Sequence, residues 1–464
     1  MQKDKFIDLC FADDLLIFTK GNLNSIRGIQ NIMHQFYLFS GLQLNNSGLQ
    51  LNNTKSELFS SGISHESLLE IHEHTGFKLG TLPVRYLGVP LVTRRLNDKD
   101  CAPLVDKITA RINHWAAKFL SYAGRFQLIQ TVIFSMQNYW CRHFLLPKSV
   151  LKKVNQLCSN FFWKGSSNTS KGARVSWKAI CQPKDEGGLG LKDILTWNHA
   201  CVLQNIWAII TKAGSLWIAW IEAYVLKGRS IWSVSGTQAS SWNWKKLLQL
   251  RSVARRFVEL KNGVEVWTIP GKKYSAAAVW KELRQKQAKV EWARFLWGSL
   301  SIPKHTFISW MAILDRLPTL DRLYSWGLDV RRLCCFCQVE LETRDHLFFG
   351  CDYAKEIWKQ ILQLCGLHRE IRSWTDELAW AVNRVKGKAL ILIVLRMAWK
   401  ACIYNIWCER NRRLHNGMAE TSLQLLDRIK EVIRIRLVGL EKVAEDDINR
   451  ALCCNWGFTF ELIA

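Results

Sequence analysis

The chain has 464 residues, of which 48% are hydrophobic and 22% are charged. This composition is typical of a globular protein and excludes a disordered or collagen-like chain, and the length allows roughly two to four domains. Lysine and arginine together number 64 against 39 aspartates and glutamates, which gives a net charge of +25. Such a charge favours a polyanionic partner, most often nucleic acid and less often an acidic membrane surface.

Cysteine usage and apolar patterning predict a soluble, intracellular protein. The 15 cysteines are an odd number, scattered except for a cluster at 334–351. Residues 1–10 lack the pattern of a secretory leader, so we expect no disulfide framework. Lys212 and Lys400 are among the charges that interrupt the most apolar stretches, and we predict no transmembrane helix and no membrane partner. The 23 tryptophans are expected mainly in the core, with stacking on bases as the alternative.

The chain begins with two apolar runs, at 6–11 and 15–18, around the pair Asp13-Asp14. Two such runs around a polar pair predict a β-hairpin. Adjacent carboxylates repel each other unless a divalent cation neutralises them, and Mg²⁺ prefers carboxylate oxygens. Enzymes that transfer phosphoryl groups use two such ions. The alternative is that aspartate is simply a favoured turn residue.

The next segments alternate between predicted helices and irregular stretches. Residues 23–40 have helical spacing, and a tandem seven-residue repeat at 41–54 indicates a local duplication. Three helices are expected within 102–164, the third of them after Pro147. Residues 165–172 are predicted to be a linker, and 173–272 resist assignment. Residues 366–464 are expected to be mostly helical, with the longest helix at about 422–443.

The first of the three helices has two faces. Apolar side chains recur on one face, and basic side chains recur with the same spacing on the opposite one. A basic helix face is a candidate surface for phosphate contacts, which are independent of base sequence and sensitive to salt. The alternative is an ordinary solvated face. The basic residues are Lys107, Arg111, His114 and Lys118.

The cysteine cluster predicts a zinc site. Cys334-x₂-Cys337-x₈-His346-x₄-Cys351 supplies three thiolates and one imidazole, which is a full tetrahedral set for Zn²⁺. A closed set of four ligands is structural rather than catalytic. Cys335 is a spare thiol that could replace a neighbour. The alternative is a group of buried free cysteines, which are common.

Aromatic and basic residues alternate around this cluster. Rings can stack on unpaired bases while cations bind phosphate. The alternative is that the rings pack around the zinc turn, and this is favoured for Phe348 and Phe349. The other residues concerned are Phe336, Tyr353, Arg331, Arg332, Arg344 and Lys355. The glycine-rich run at 187–191 lacks the Lys-Ser/Thr of a P-loop and the spacing of a dinucleotide loop, so no small-molecule cofactor is predicted.

Several segments together resemble one family. The string FADDLLIF at 11–18 resembles the palm signature of reverse transcriptases, and further segments are similar, in order, to plant LINE-type (non-LTR) retrotransposon polymerases. These further segments are GLQLNNTKSE at 48–57, YLGVPL at 86–91, the stretch 115–125, GGLGL at 187–191, the zinc region 341–358 and WCERNRR at 407–413.

This resemblance implies roles for particular residues. Asp13 and Asp14 would be catalytic magnesium ligands, and Lys55 would donate a proton to the leaving pyrophosphate. The helix face described above, together with Arg125, would follow a primer–template duplex of RNA and DNA. The resemblance also suggests a nuclear location.

The resemblance also places a further palm aspartate and the fingers upstream of the Asp-Asp hairpin. We therefore expect this chain to be inactive as a polymerase on its own, with a missing N-terminal half as a possible partner.

The sequence thus predicts an α+β fold in five segments. Three functions remain open: the C-terminal part of a retrotransposon RNA-directed DNA polymerase, a non-catalytic zinc-dependent nucleic-acid-binding protein, and a decayed relic. The segments are a partial palm with the Asp-Asp hairpin at 1–95, a helical thumb-like region at 96–165, a connector at 166–273, a zinc module at 274–360 and a helical C-terminal region at 361–464.

Overall fold

The computed structural model describes ten stretches of the chain, which separate into two compact units. The first unit comprises Met1–Cys101 and Leu226–Arg251, and the second comprises Ala102–Val225 and Ser252–Ala464. The described residues are 7–11, 14–40, 56–92, 94–115, 120–166, 172–238, 240–269, 273–298, 300–438 and 443–458.

The first unit contains the expected hairpin. Strands β1 (Ile7–Phe11) and β2 (Asp14–Phe18) run antiparallel, with Leu9 opposite Leu16. Alternating apolar residues suit a pleated strand whose side chains point to opposite faces. The prediction of a hairpin at this position is therefore confirmed.

The remainder of this unit consists of short elements. The predicted helix at 23–40 is confirmed. In chain order the elements are α1 (Leu23–Ser40), β3 (Glu57–Leu58), α2 (His65–Thr75), β4 (Lys78–Leu79), β5 (Arg85–Tyr86), β6 (Val89–Pro90) and α10 (Trp242–Gln249).

The second unit begins with the three predicted helices. The first ends at His114, the second continues through a π-helical segment (Ile129–Ile133), and the third starts directly after Pro147, where proline pre-organises the first turn. The helices of this stretch are α3 (Asp98–His114, which starts in the first unit), α4 (Tyr122–Leu128), α5 (Phe134–His143), α6 (Lys148–Lys164), α7 (Trp177–Ile180), α8 (Ile194–Ile210) and α9 (Leu216–Trp220).

The rest of the second unit is also mostly helical, with one hairpin. Its elements are α11 (Arg251–Ala254), β7 (Val258–Lys261), β8 (Val264–Trp267), α12 (Ala276–Leu283), α13 (Ala293–Leu296), α14 (Pro303–Ile313), α15 (Leu320–Ser325), α16 (Asp352–Leu364), α17 (Trp374–Arg384), α18 (Leu390–Asn416), α19 (Ser422–Leu437) and α20 (Asp447–Trp456).

The expectation about the longest helix was wrong. Among the described residues the longest helix is α18 with 27 residues, whereas α19 has 16. The reason is that α18 is apolar on most sides and shows no 3.6-residue stripe, as expected of a central helix. By length and composition α18 is the one described helix that could cross a bilayer, but 72% of its apolar window is buried inside the protein.

Tryptophans fill the core around α18, as expected. Trp310, Trp358, Trp374 and Trp399 are all fully buried. The rings of Trp374 and Trp399 lie 5.7 Å apart, within the usual range for aromatic pairs. The helical part of the predicted fold class is confirmed, and the strands that the structure describes form only four two-stranded sheets.

Candidate metal centre

A tight turn brings the first two candidate ligands together. The backbone N–H of Cys334 donates to the carbonyl of Glu340 (2.7 Å), and that of Gln338 donates to the carbonyl of Cys334 (2.9 Å). Gln338 takes a left-handed conformation (φ 57°), which lets the chain reverse directly after Cys337. Such a Cys-x-x-Cys turn directs both thiols to the same side.

The other two candidate ligands come from the segment directly before α16. His346 opens a π-helical segment (His346–Gly350), and Cys351 precedes α16 in an extended conformation. The N–H of Cys351 donates to the carbonyl of His346 (2.6 Å), so one short segment fixes both side chains. Gly350 leaves room here, since a Cβ at this position would stand 3.4 Å from His346 Nδ1.

The four donor atoms converge on one point. They all lie within 4.8 Å of one another, with Cys337 Sγ 3.3 Å from His346 Nε2 and Cys334 Sγ 4.0 Å from Cys351 Sγ. Tetrahedral ligands with Zn–S bonds of about 2.3 Å stand roughly 3.8 Å apart. The sulfur atoms are too far apart for a disulfide, and the set fits a zinc ion.

A carboxylate next to the imidazole also favours a cation at this point. The Glu340 carboxylate lies 3.0 Å from His346 Nδ1. A partner on Nδ1 directs Nε2 towards a metal, which is the usual arrangement around zinc-bound histidine.

The aromatic residues beside the cluster pack against other groups of the protein. Phe348 and Phe349 are fully buried, as favoured from the sequence. Phe336 stacks on Tyr353 at 4.6 Å, and the Arg413 guanidinium lies 4.9 Å from the first ring and 4.6 Å from the second. Phe348 and Phe349 therefore stabilise the zinc turn from inside the core, whereas Phe336 and Tyr353 are half-buried and pack against each other.

Two buried acidic residues near the zinc turn and α18 were not identified as important from the sequence. Glu342 is fully buried and accepts from Arg410 Nε (3.0 Å) and Nη2 (2.7 Å). Glu342 also accepts from the N–H of Leu320. Glu409 is buried as well and accepts from Arg413 Nε (2.9 Å). The segments 341–343 and 407–413 stood out in the sequence, but no local pattern connects Glu342 with Arg410, which lies 68 residues away.

The structure describes three of the four residues on the predicted basic face of α3. Lys107, Arg111 and His114 are exposed on this helix, and Lys118 lies outside the described residues. Arg125 Nη1 donates to the carbonyls of Phe162 (3.2 Å) and Trp163 (3.4 Å).

These contacts of Arg125 cap the end of α6. Its guanidinium also lies 5.4 Å from the Tyr122 ring, and burial lowers its pKa.

The candidate catalytic residues are described only in part. Asp13 and Lys55 lie outside the described residues, and Asp14 is exposed at the start of β2. Among the side chains that the structure places, the zinc cluster is the one group of three or more ligands close enough to share a metal ion. The described residues thus bring the four zinc ligands together but do not assemble a magnesium site.

Comparison with known proteins agrees with the geometry of the cluster. Residues 274–358, which include all four ligands, match the family described as zinc-binding in reverse transcriptase. A putative ribonuclease H protein of Arabidopsis thaliana is 30% identical over 158 residues, which is 33% of this chain and 26% of that protein. An uncharacterized mitochondrial protein of the same plant is 26% identical over 114 residues, 24% of this chain and 74% of that protein.

The chain therefore spans about a quarter of the first of these relatives. What these matches show is that residues 274–358 are similar to the zinc-binding region of reverse transcriptases.

Proposed function

We propose that this chain is the nucleic-acid-holding part of a LINE-type retroelement reverse transcriptase, with a zinc ion that fixes its fold. The observation that carries the proposal is the closed set of three thiols and one imidazole within the segment that matches reverse-transcriptase zinc-binding regions. When bound, zinc supplies structural cross-linking between Cys334, Cys337, His346 and Cys351, since the set leaves no open coordination position.

The surface proposed to hold a duplex is the exposed face of α3. Lys107, Arg111 and His114 project from one side of this helix into solvent, and Lys118 is proposed to extend the row. Cations at this spacing suit phosphates rather than bases, so binding would be independent of base sequence. Arg125 is proposed to act indirectly, by joining α4 to the end of α6.

We propose that polymerisation requires carboxylates in addition to those of the described residues. Asp13 and Asp14 would be magnesium ligands and Lys55 a proton donor, as the sequence resemblance implies, but a two-metal site needs additional carboxylates. We expect no primer extension on an RNA template with Mg²⁺, and extension that disappears in D13A/D14A would contradict this. A nuclear location is proposed from the resemblance alone.

The zinc centre is tested by metal analysis of the purified full-length chain. We expect one zinc ion per chain, and loss of that ion in Cys337→Ser. Cys335→Ser is the matched control, because Cys335 is the neighbouring thiol outside the cluster and its removal is expected to leave the zinc content unchanged. A well-folded protein without zinc would contradict the proposal.

The duplex surface is tested by binding of a labelled primer–template duplex at several salt concentrations. K107A/R111A removes two exposed charges, and loss of two phosphate contacts is expected to reduce the slope of log affinity against log salt by about 1.8. K359A/R384A is the charge-matched control, because both residues are exposed on α16 and α17. Equal slopes for the two variants would disprove a role for the α3 face.

A further inference from the structure

The second unit contains a groove that the proposed function does not use. Its volume is about 1290 Å³. It is lined by α15, by the C-terminal end of α18 and by the segment that leads to Cys334. The described lining includes no aspartate or glutamate but six basic side chains, which are Arg174, Arg316, Arg322, Arg331, Arg410 and His415.

Two of these basic residues are neutralised within the protein. Arg410 is buried against Glu342, and Arg322 Nη1 lies 3.2 Å from Asp315 Oδ2. Arg316 and Arg331, in contrast, are exposed. Neither forms an ion pair with any residue that the structure describes. The groove thus presents uncompensated positive charge, which is complementary to a polyanion.

An exposed aromatic ring lies in the same groove. Trp326 lines it and is 52% exposed, although Trp310 and the other central tryptophans are fully buried. The Arg322 guanidinium lies 5.6 Å from the Trp326 ring and holds it from one side. A ring fixed in this way offers a face on which an unpaired base can stack.

We propose that this groove binds single-stranded nucleic acid, with phosphates at Arg316 and Arg331 and a base against Trp326. A single strand is favoured over a duplex, because bases stacked within a helix cannot stack on a protein ring. An acidic peptide would satisfy the charges but would not use the indole face. This inference rests on the proposed function in expecting nucleic acid as the partner, and it adds a second surface for a different strand form.

The test measures fluorescence anisotropy of a labelled oligouridylate of about 16 nucleotides with the zinc-loaded full-length chain. R316A/R331A is expected to weaken binding at least about tenfold and to reduce the salt slope by about 1.4, since two phosphate contacts are lost from a single strand. Trp326→Ala is expected to weaken binding about 5- to 150-fold through loss of stacking.

Matched controls separate these effects from general ones. K359A/R384A removes the same charge elsewhere, and Trp220→Ala removes an equally exposed ring from α9 (53% exposed). Both controls are expected to bind oligouridylate as the wild type does. The proposal is overturned if R316A/R331A binds oligouridylate no more weakly than K359A/R384A does. It is also overturned if polyglutamate displaces the oligonucleotide and Trp326→Ala binds the oligonucleotide as tightly as the wild type.

The duplex assay distinguishes this proposal from the proposed function. Loss of oligouridylate binding in R316A/R331A, with unchanged duplex binding in K107A/R111A, would support the groove and disprove the α3 surface. The opposite pattern would disprove the groove alone. If the folded, zinc-loaded chain binds neither ligand at low salt, both proposals fall.

Discussion

Glu340 orients the imidazole of the zinc centre, although it is not a ligand itself. Its carboxylate holds His346 Nδ1 at 3.0 Å while Nε2 faces Cys337. Removing such a partner typically lowers metal affinity about 10- to 100-fold. We therefore expect Glu340→Ala to weaken zinc binding by about this factor in competition with a chromophoric chelator, and Glu340→Gln, which retains an acceptor, to recover most of it. Equal affinities for the wild type and Glu340→Ala would show that His346 is oriented without this contact.

Glu342 is a second residue whose role depends on one distant partner. Glu342→Ala would leave the Arg410 charge buried without its carboxylate, since the two side chains are 0% and 3% exposed. Breaking a buried pair in this way costs about 3–5 kcal/mol, and urea unfolding is expected to show a loss of this size. The double variant Glu342→Met with Arg410→Met is expected to be more stable than Glu342→Ala alone. If it is less stable, burial of an unpaired charge is not the cause.

At the scale of elements, α18 buries a lysine that has no carboxylate partner among the residues that the structure describes. Lys400 is 3% exposed, and its Nζ donates to Leu296 O and Ser301 Oγ. Burial, and to a lesser extent Arg396, lowers the pKa of Lys400 to about 7. The unfolded chain holds this proton up to its ordinary pKa of about 10.4. Between these pH values the unfolded state binds more protons, so this residue's destabilising effect diminishes as pH rises.

We expect Lys400→Met to raise the free energy of unfolding by on the order of 3 kcal/mol below pH 7, after allowance for the lost hydrogen bonds. The difference between variant and wild type should narrow as pH increases above about 7. Urea unfolding of both proteins at several pH values measures this difference in the free energy of unfolding. Lys388→Met, at an exposed position just before α18, is the control. A difference that does not depend on pH would show that Lys400 titrates normally.

The glycine run at 187–191 is a packing junction. A Cβ on Gly188 would stand 2.0 Å from Gln182 O and 2.7 Å from Ala179 O, both backbone atoms. Gly188→Ala must therefore displace the turn, and we expect it to destabilise the protein by about 1–3 kcal/mol in thermal or urea unfolding. Gly214→Ala is the matched control, because nothing lies within 4 Å of its Cβ position. Equal stabilities would contradict the close packing.

Elements with local signals could be predicted from the sequence. The apolar stripe and Pro147 predicted α6, and the ligand spacing predicted the four side chains that meet at the candidate metal centre. The length of helix α18 was underestimated because a helix that is surrounded by protein has no polar face to reveal its 3.6-residue period. Glu340 and Glu342 were missed as partners for another reason. Glu342 and Arg410 lie 68 residues apart, and only tertiary structure brings them together.

At the scale of the whole molecule, a larger share of the acidic than of the basic side chains is buried among the described residues. Glu342, Glu377 and Glu409 are fully buried, each beside an arginine. Each buried pair removes one positive and one negative charge from the surface balance. The excess of +25 therefore lies on exposed side chains such as those of α3 and of the groove. This distribution is what both proposed nucleic-acid surfaces require.

The division into two units predicts how the molecule responds to loss of zinc. All four ligands belong to the second unit, and Glu342 and Arg413 connect their surroundings to α18. Because structural zinc contributes directly to folding, chelation should raise amide hydrogen exchange in α15, α16 and the C-terminal half of α18. Exchange in α2, which belongs to the first unit, should stay unchanged. Hydrogen-exchange mass spectrometry resolves these peptides, and a uniform increase across both units would contradict separate folding.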